Sequence, residues 1–210
     1  ASHRIVGNMA ALIYMLPLLL LAAIGVGIVA GHNALAGVAF APDTWAASAW
    51  TILEQRGNLM DDPVRVRISY PLLAWIGVIL LGYACGPLYG RSMPAAQRRR
   101  WLVMAGVASL LLLVVLRTWN VYGEPQPWAP HDTLLRSAMS WLNFTKYPPS
   151  LDFLLLTLGV GVLVLAWIER IDAGWVRIAA VFGGAPLFFY IAHLYLLLVA
   201  QRVAAFVLDL

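Results

Sequence analysis

The chain has 210 residues, of which 62% are hydrophobic and only 11% charged, with a mean hydropathy of +0.81. Soluble domains average about 25% charged residues, so this composition argues against a water-soluble globule and for a polytopic membrane protein. The net charge of +4 is assigned to arginines flanking the membrane and not to nucleic acid, because no groove-reading motif accompanies it.

Five hydrophobic stretches are each long enough to cross a bilayer, which takes roughly 20 residues per helix. In chain order they run from about Met9 to Ala30, from Tyr70 to Tyr89, from Trp101 to Leu116, from Leu151 to Ile168 and from about Pro186 to Val207. Hydrocarbon offers backbone polar groups no partner outside their own helix. The expected fold class is therefore all-α: one polytopic transmembrane helix bundle over residues 1–210, with about five spanning helices plus short interfacial ones.

Pro17 is expected to kink the first stretch, whereas Pro71, Pro149 and Pro186 stand at helix starts, where a missing N–H costs little. Gly27/Gly31 and Gly82/Gly86 are spaced for close helix approach. Cys85, the sole cysteine, lies in an apolar run and reads as a small buried residue. Val176 to Phe182 reads as a short half-helix before the Gly183-Gly184 break. Gln201 and Arg202 place the end of the last span near Ala200, with Arg202 snorkelling outward.

Orientation follows from the loops. The short loop Gly90–Arg100 carries Arg91, Arg98, Arg99 and Arg100, the densest basic cluster, and is assigned to the cytoplasm. The Glu169–Arg177 loop then shares that side, and the long loops His32–Ser69 and Arg117–Pro148 face outward.

Polar groups that interrupt apolar helices are costly, so they mark candidate chemistry. Lys146 and Tyr147 precede Pro148-Pro149, which hold Tyr147 out of helical geometry; Ser150 and Asp152 then fall in the first turn of the fourth span. This stretch, with Asn143, reads either as an interfacial anchor with a helix cap or as a rigid polar rim around a substrate mouth. His193 lies mid-span with Tyr190 on the same helix face, and either bridges helices or works as an acid or base. Arg117, followed by Asn120 and Tyr122, is either an interfacial arginine or a clamp for an anionic or hydroxyl-rich ligand. His32 and Asn33 read as a helix C-terminal cap. No metal-ligand spacing, G-x-S-x-G, phosphate loop or dinucleotide fingerprint is present.

Three stretches in order resemble the bacterial relatives of heparan-α-glucosaminide N-acetyltransferase. They are Tyr70-Pro71-Leu72-Leu73-Ala74-Trp75-Ile76-Gly77-Val78 with Leu81-Gly82-Tyr83-Ala84; Asn143-x-Thr145-Lys146-Tyr147-Pro148-Pro149-Ser150-Leu151 with Thr157-Leu158-Gly159; and Pro186-Leu187-Phe188-Phe189-Tyr190-x-x-His193-Leu194. The resemblance covers roughly residues 32–198. It implies an integral membrane acetyltransferase of the bacterial inner membrane, in a family whose members are often homodimers. Such enzymes take acetyl from acetyl-CoA on the cytoplasmic side and pass it to a sugar amine or hydroxyl of a glycan on the other. By this resemblance His193 lines the site, and Asn143, Lys146, Tyr147, Arg117, Asn120 and Tyr190 are the candidates for holding the acceptor. The arginines Arg91, Arg98, Arg99 and Arg100 are placed by electrostatics beside the CoA phosphates. The family's main catalytic histidine belongs to an early helix that nothing here matches. The chain therefore resembles the C-terminal two-thirds of such a protein, and in isolation is expected to lack activity. The rival reading is a non-catalytic channel, transporter or assembly subunit.

Overall fold

A computed structural model describes residues 2–60 and 66–207, with side chains for 15–59 and 66–207. The described chain is all-α apart from one short hairpin. Its helices are α1 (Ser2–Gly31), α2 (Trp45–Leu53), α3 (Leu73–Ala84), α4 (Ala95–Thr118), α5 (Leu134–Trp141), α6 (Leu151–Ile168), α7 (Gly174–Gly184) and α8 (Pro186–Val207). The hairpin pairs β1 (Gly57–Met60) antiparallel with β2 (Val66–Ile68), with a bulge between Asn58 and Met60. The chain packs as two compact units, residues 1–164 and 165–210.

Among the described residues, four helical segments are long and apolar enough to cross a membrane: Met15–Leu35, Ala95–Thr118, Leu151–Ile168 and Pro186–Val207. Large apolar side chains along them, such as Leu16, Leu111 and Leu196, face outward, as side chains solvated by hydrocarbon do. The last two segments coincide with the stretches expected from hydropathy. α4 begins six residues earlier than expected, because Ala95–Arg100 is helical despite its charge.

The second expected span is shorter than its apolar run. α3 covers 12 residues, and a 3-10 turn over Gly86–Tyr89 follows it. Pro87 cannot donate to the preceding turn and its ring crowds that turn's carbonyl, so the α-helix stops at Ala84. Twelve residues rise about 18 Å, short of the ~30 Å hydrocarbon core. Among the described residues the long spans therefore number four, with α3 as a shorter apolar helix, where about five were expected.

Close packing falls on different glycines from those expected. A Cβ on Gly77 would lie 2.9 Å from Ile28 and Val29, and one on Gly25 would lie 3.0 Å from the Gly77 carbonyl, so α1 and α3 cross there. α4 and α6 cross at Gly106 and Gly159: a Cβ on Gly106 would come within 2.6 Å of Leu163 and 2.9 Å of the Gly159 carbonyl. In both pairs residue numbers rise along one helix as they fall along the other, so each pair is antiparallel. Gly27, Gly31, Gly82 and Gly86 border open space instead. Cys85 is exposed to the surroundings and not buried. Spacing of small residues marks where backbones can approach, but the neighbours decide where they do.

The core of the first unit is a small cluster of Val29 from α1, Ala74 from α3 and Leu151 and Leu154 from α6. Ser150 caps α6, its Oγ accepting from the Phe153 N–H at 3.1 Å. α5 carries Leu134, Leu135 and Met139 on an exposed face, while Ser137 and Ser140 bond back to the loop carrying it. That is the pattern of a helix lying in a membrane interface.

In the second unit α7 spans the expected half-helix. Ala185 breaks helical geometry after Gly183-Gly184, and Pro186 opens α8. α8 continues past Gln201 and Arg202 to Val207 and does not end near Ala200.

Candidate functional site

The ends of α1, α4 and α6 meet in a polar layer at one face of the first unit. Asn33 Oδ1 accepts from the Leu151 N–H at 2.8 Å, joining the end of α1 to the start of α6. The Tyr122 hydroxyl donates to the Ala30 carbonyl at 2.7 Å and accepts from the Ala34 N–H, tying the segment after α4 to the same place. The Asp152 N–H donates to the Gly123 carbonyl at 3.2 Å. Gly123, at φ +102°, sits so close that a Cβ there would be 2.7 Å from Asp152 Oδ1.

Arg117, in the last turn of α4, is 1% exposed. Its Nε donates to the Trp141 carbonyl at 2.9 Å and its Nη1 to the Gln126 carbonyl at 2.8 Å. Its Nη2 donates to the carbonyls of Ser140 at 3.0 Å and Asn143 at 2.9 Å. The guanidinium also lies 5.3 Å from the Phe144 ring centroid. One planar fork thus gathers α5 and both flanking loops, a geometry that lysine cannot reproduce. The charge of Arg117 also acts on Asp152, which is fully buried at the start of α6.

The other expected residues of this face are placed as follows. Asn120, at φ +49°, clasps Trp128 through two bonds: its Nδ2 donates to the Trp128 carbonyl at 3.0 Å, and its Oδ1 accepts from the Trp128 N–H at 3.1 Å. Asn143 is exposed and lines a hollow of about 630 Å³ with His131, Arg136, Met139, Ser140 and Leu142. Thr145 donates through its N–H and hydroxyl to the Glu124 carboxylate. That leaves Lys146 exposed, with Nζ 5.2 Å from the half-buried Tyr147 ring. Arg56 stands 5.8 Å from the same ring, and Tyr70 meets it edge-on at 4.9 Å. Two of the motif stretches, far apart in sequence, are therefore in contact through Tyr70 and Tyr147.

Comparison with protein-family models, with characterised proteins and with solved structures finds no match for this chain. Its reading rests on its own residues.

His193 and Tyr190 lie in the second unit, on one face of α8 as their spacing predicts, with ring centroids 5.3 Å apart. His193 Nδ1 is 3.2 Å from the Phe189 carbonyl, and both side chains are exposed. The arginine cluster stands at the other end of α4 from Arg117. Arg91 and Arg100 are exposed, Arg98 and Arg99 half-buried, and Arg98 lies 5.0 Å from the Tyr89 ring. From Arg100 to Arg117 the helix rises about 25 Å, close to the thickness of a bilayer's hydrocarbon core.

Sequence reasoning passed over one pair. His32, read as a cap at the end of the first span, is 1% exposed, and its Nδ1 lies 3.5 Å from Glu54 Oε1, at the outer limit of a hydrogen bond. Glu54 is 2% exposed. The available signal was an acid closing the apolar run Trp45–Leu53 in a chain otherwise poor in charge. Among the described residues no group of three His, Cys, Asp or Glu side chains is arranged to hold a metal ion.

Proposed function

We propose that the chain belongs to a membrane-embedded acetyltransferase, which moves acetyl from acetyl-CoA to an amine or hydroxyl of a sugar. The observation that carries this reading is the polar surface built around Asn143, Lys146 and Tyr147 at the membrane face. The segment carrying Asn143, which lines a hollow with His131, Arg136 and Ser140, also carries Tyr147, whose ring is flanked by Lys146 and Arg56. Donors and cations beside an aromatic rim suit a hydroxyl-rich, anionic glycan. The three motif stretches described above supply the reaction class. Arg91 and Arg98–Arg100, at the far end of α4, would draw the CoA phosphates to the opposite side. His193, with Tyr190, supplies an acid or base on the motif-bearing face of α8.

The rival reading, a non-catalytic assembly subunit, is favoured by Arg117, which makes four hydrogen bonds to the chain's own carbonyls. Labelled acetyl-CoA separates the two. The intact protein in nanodiscs should bind it, lose binding when Arg98, Arg99 and Arg100 are all replaced by Gln, and pass label to glucosamine. Replacing both His193 and Lys146 by Ala should cut that transfer at least about a hundredfold, the lower end of one lost acid–base contribution. Transfer left unchanged by the double replacement would refute the proposal.

A further inference from the structure

A cavity of about 400 Å³ runs along the end of α1, lined by Ile24, Gly27, Ile28, Gly31, Leu35 and Leu73, with His32 as its one ionisable side chain. Gly27 and Gly31 leave it open, since a Cβ on either would meet nothing within 4 Å. Helix packing does not require these glycines, unlike Gly25 and Gly77. The walls are otherwise aliphatic. From Ile24 to Leu35 the furrow follows about 16 Å of helix, the scale of an acyl chain in one leaflet.

The polar pair His32 and Glu54 is unfinished. His32 Nε2 and Glu54 Oε2 are both buried without a hydrogen-bond partner. Leaving such groups unmade is costly, and native structures pair nearly all of them. In the tautomer that turns Nδ1–H toward Glu54, Nε2 is left as an acceptor. A group that completes it must donate a hydrogen bond, and the furrow leading to it accepts hydrocarbon.

We infer that this furrow binds a membrane lipid whose head carries a free hydroxyl or amine, with that group donating to His32 Nε2 and the tail lying along Ile24–Leu35. The site goes beyond the acetyl-transfer reading and uses none of the residues assigned to the glycan face.

Two probes test it on the full chain in nanodiscs: a diacylglycerol with a diazirine in one acyl chain, and the same lipid with its free hydroxyl converted to a methyl ether. After photolysis, mass spectrometry of the peptide spanning Ile24–Leu35 should show about tenfold more label from the hydroxyl probe, the scale of one hydrogen bond recovered at a buried acceptor. The face of α8 lined by Leu196, Val199 and Val203 has no such acceptor and should take both probes equally. His32→Phe should remove the preference. Gly31→Leu, which fills open space and leaves His32 and Glu54 in place, should block labelling of the furrow by both probes. Equal labelling of the furrow by the two probes, or a preference that survives His32→Phe in a protein with unchanged melting behaviour, would overturn the inference. Neither probe needs acetyl-CoA, so the result is independent of whether acetyl transfer occurs.

Discussion

Replacing Arg117 tests how the polar layer is held together. Its side chain makes four hydrogen bonds of 2.8–3.0 Å to carbonyls of Gln126, Ser140, Trp141 and Asn143. A hydrogen bond from a charged donor nets about 1.5–3 kcal/mol, so four set an upper bound of about 6–12 kcal/mol. The loss should be smaller, because Gln126 and Asn143 are exposed and their carbonyls can turn to water. Removing one member of a buried charged set typically costs about 3–5 kcal/mol, and we expect Arg117→Met to fall there. In a unit of this size each kcal/mol moves Tm by about 2–4 °C, which gives a fall of about 6–20 °C. Arg117→Lys keeps the charge but loses the fork, and should lie between the two. Thermal melts in detergent, together with limited proteolysis between residues 119 and 150, read both the stability and the loops that Arg117 gathers. A melting point within about 2 °C of the parent for Arg117→Met, with unchanged cleavage, would refute this account of the layer, since it corresponds to less than about 1 kcal/mol.

Four further substitutions probe the same framework by thermal denaturation. Gly106→Ala should destabilise by about 1–3 kcal/mol, because its methyl would sit 2.9 Å from the Gly159 carbonyl, whereas Gly82→Ala, bordering open space, should be neutral or mildly stabilising. Gly123→Ala should cost at least about 1–3 kcal/mol through its left-handed backbone, before the collision with the Asp152 carboxylate is added. Ser150→Ala removes the bond to the Phe153 N–H and should cost about 1 kcal/mol.

The span without an internal polar break near its end, α6, was legible in the sequence to the residue. α6 coincides with its apolar run, which Ser150 opens, whereas α8 starts at Pro186 as expected but runs past Gln201 and Arg202, the polar pair that had marked its end. Hydropathy failed where the determinant lay elsewhere. Ala95–Arg100 is helical but charged, so the start of α4 was missed, and Pro87 truncates α3 inside a run that hydropathy scores as continuous. The hairpin and α2 lie in a stretch of mixed polarity with no dominant period. At the candidate site the important positions stood out, and their partners did not. Arg117 and Asn120 could be picked as polar residues at a span end, but bonds to distant carbonyls leave no trace in spacing. His32 and Glu54, 22 residues apart, come together only once the end of α2 meets the turn that follows α1.

The claim beneath all of this is that the helices cross a bilayer and hold the polar layer on one side of it, with the arginine cluster on the other. Single cysteines in a Cys85→Ser background, one at Ser92 and one at Asp132, flank α4, and both positions are exposed. In sealed vesicles a membrane-impermeant maleimide should label one of the two at once and the other only after permeabilisation. Labelling of both before permeabilisation, or of neither, would place the two ends of α4 on the same side and contradict the account.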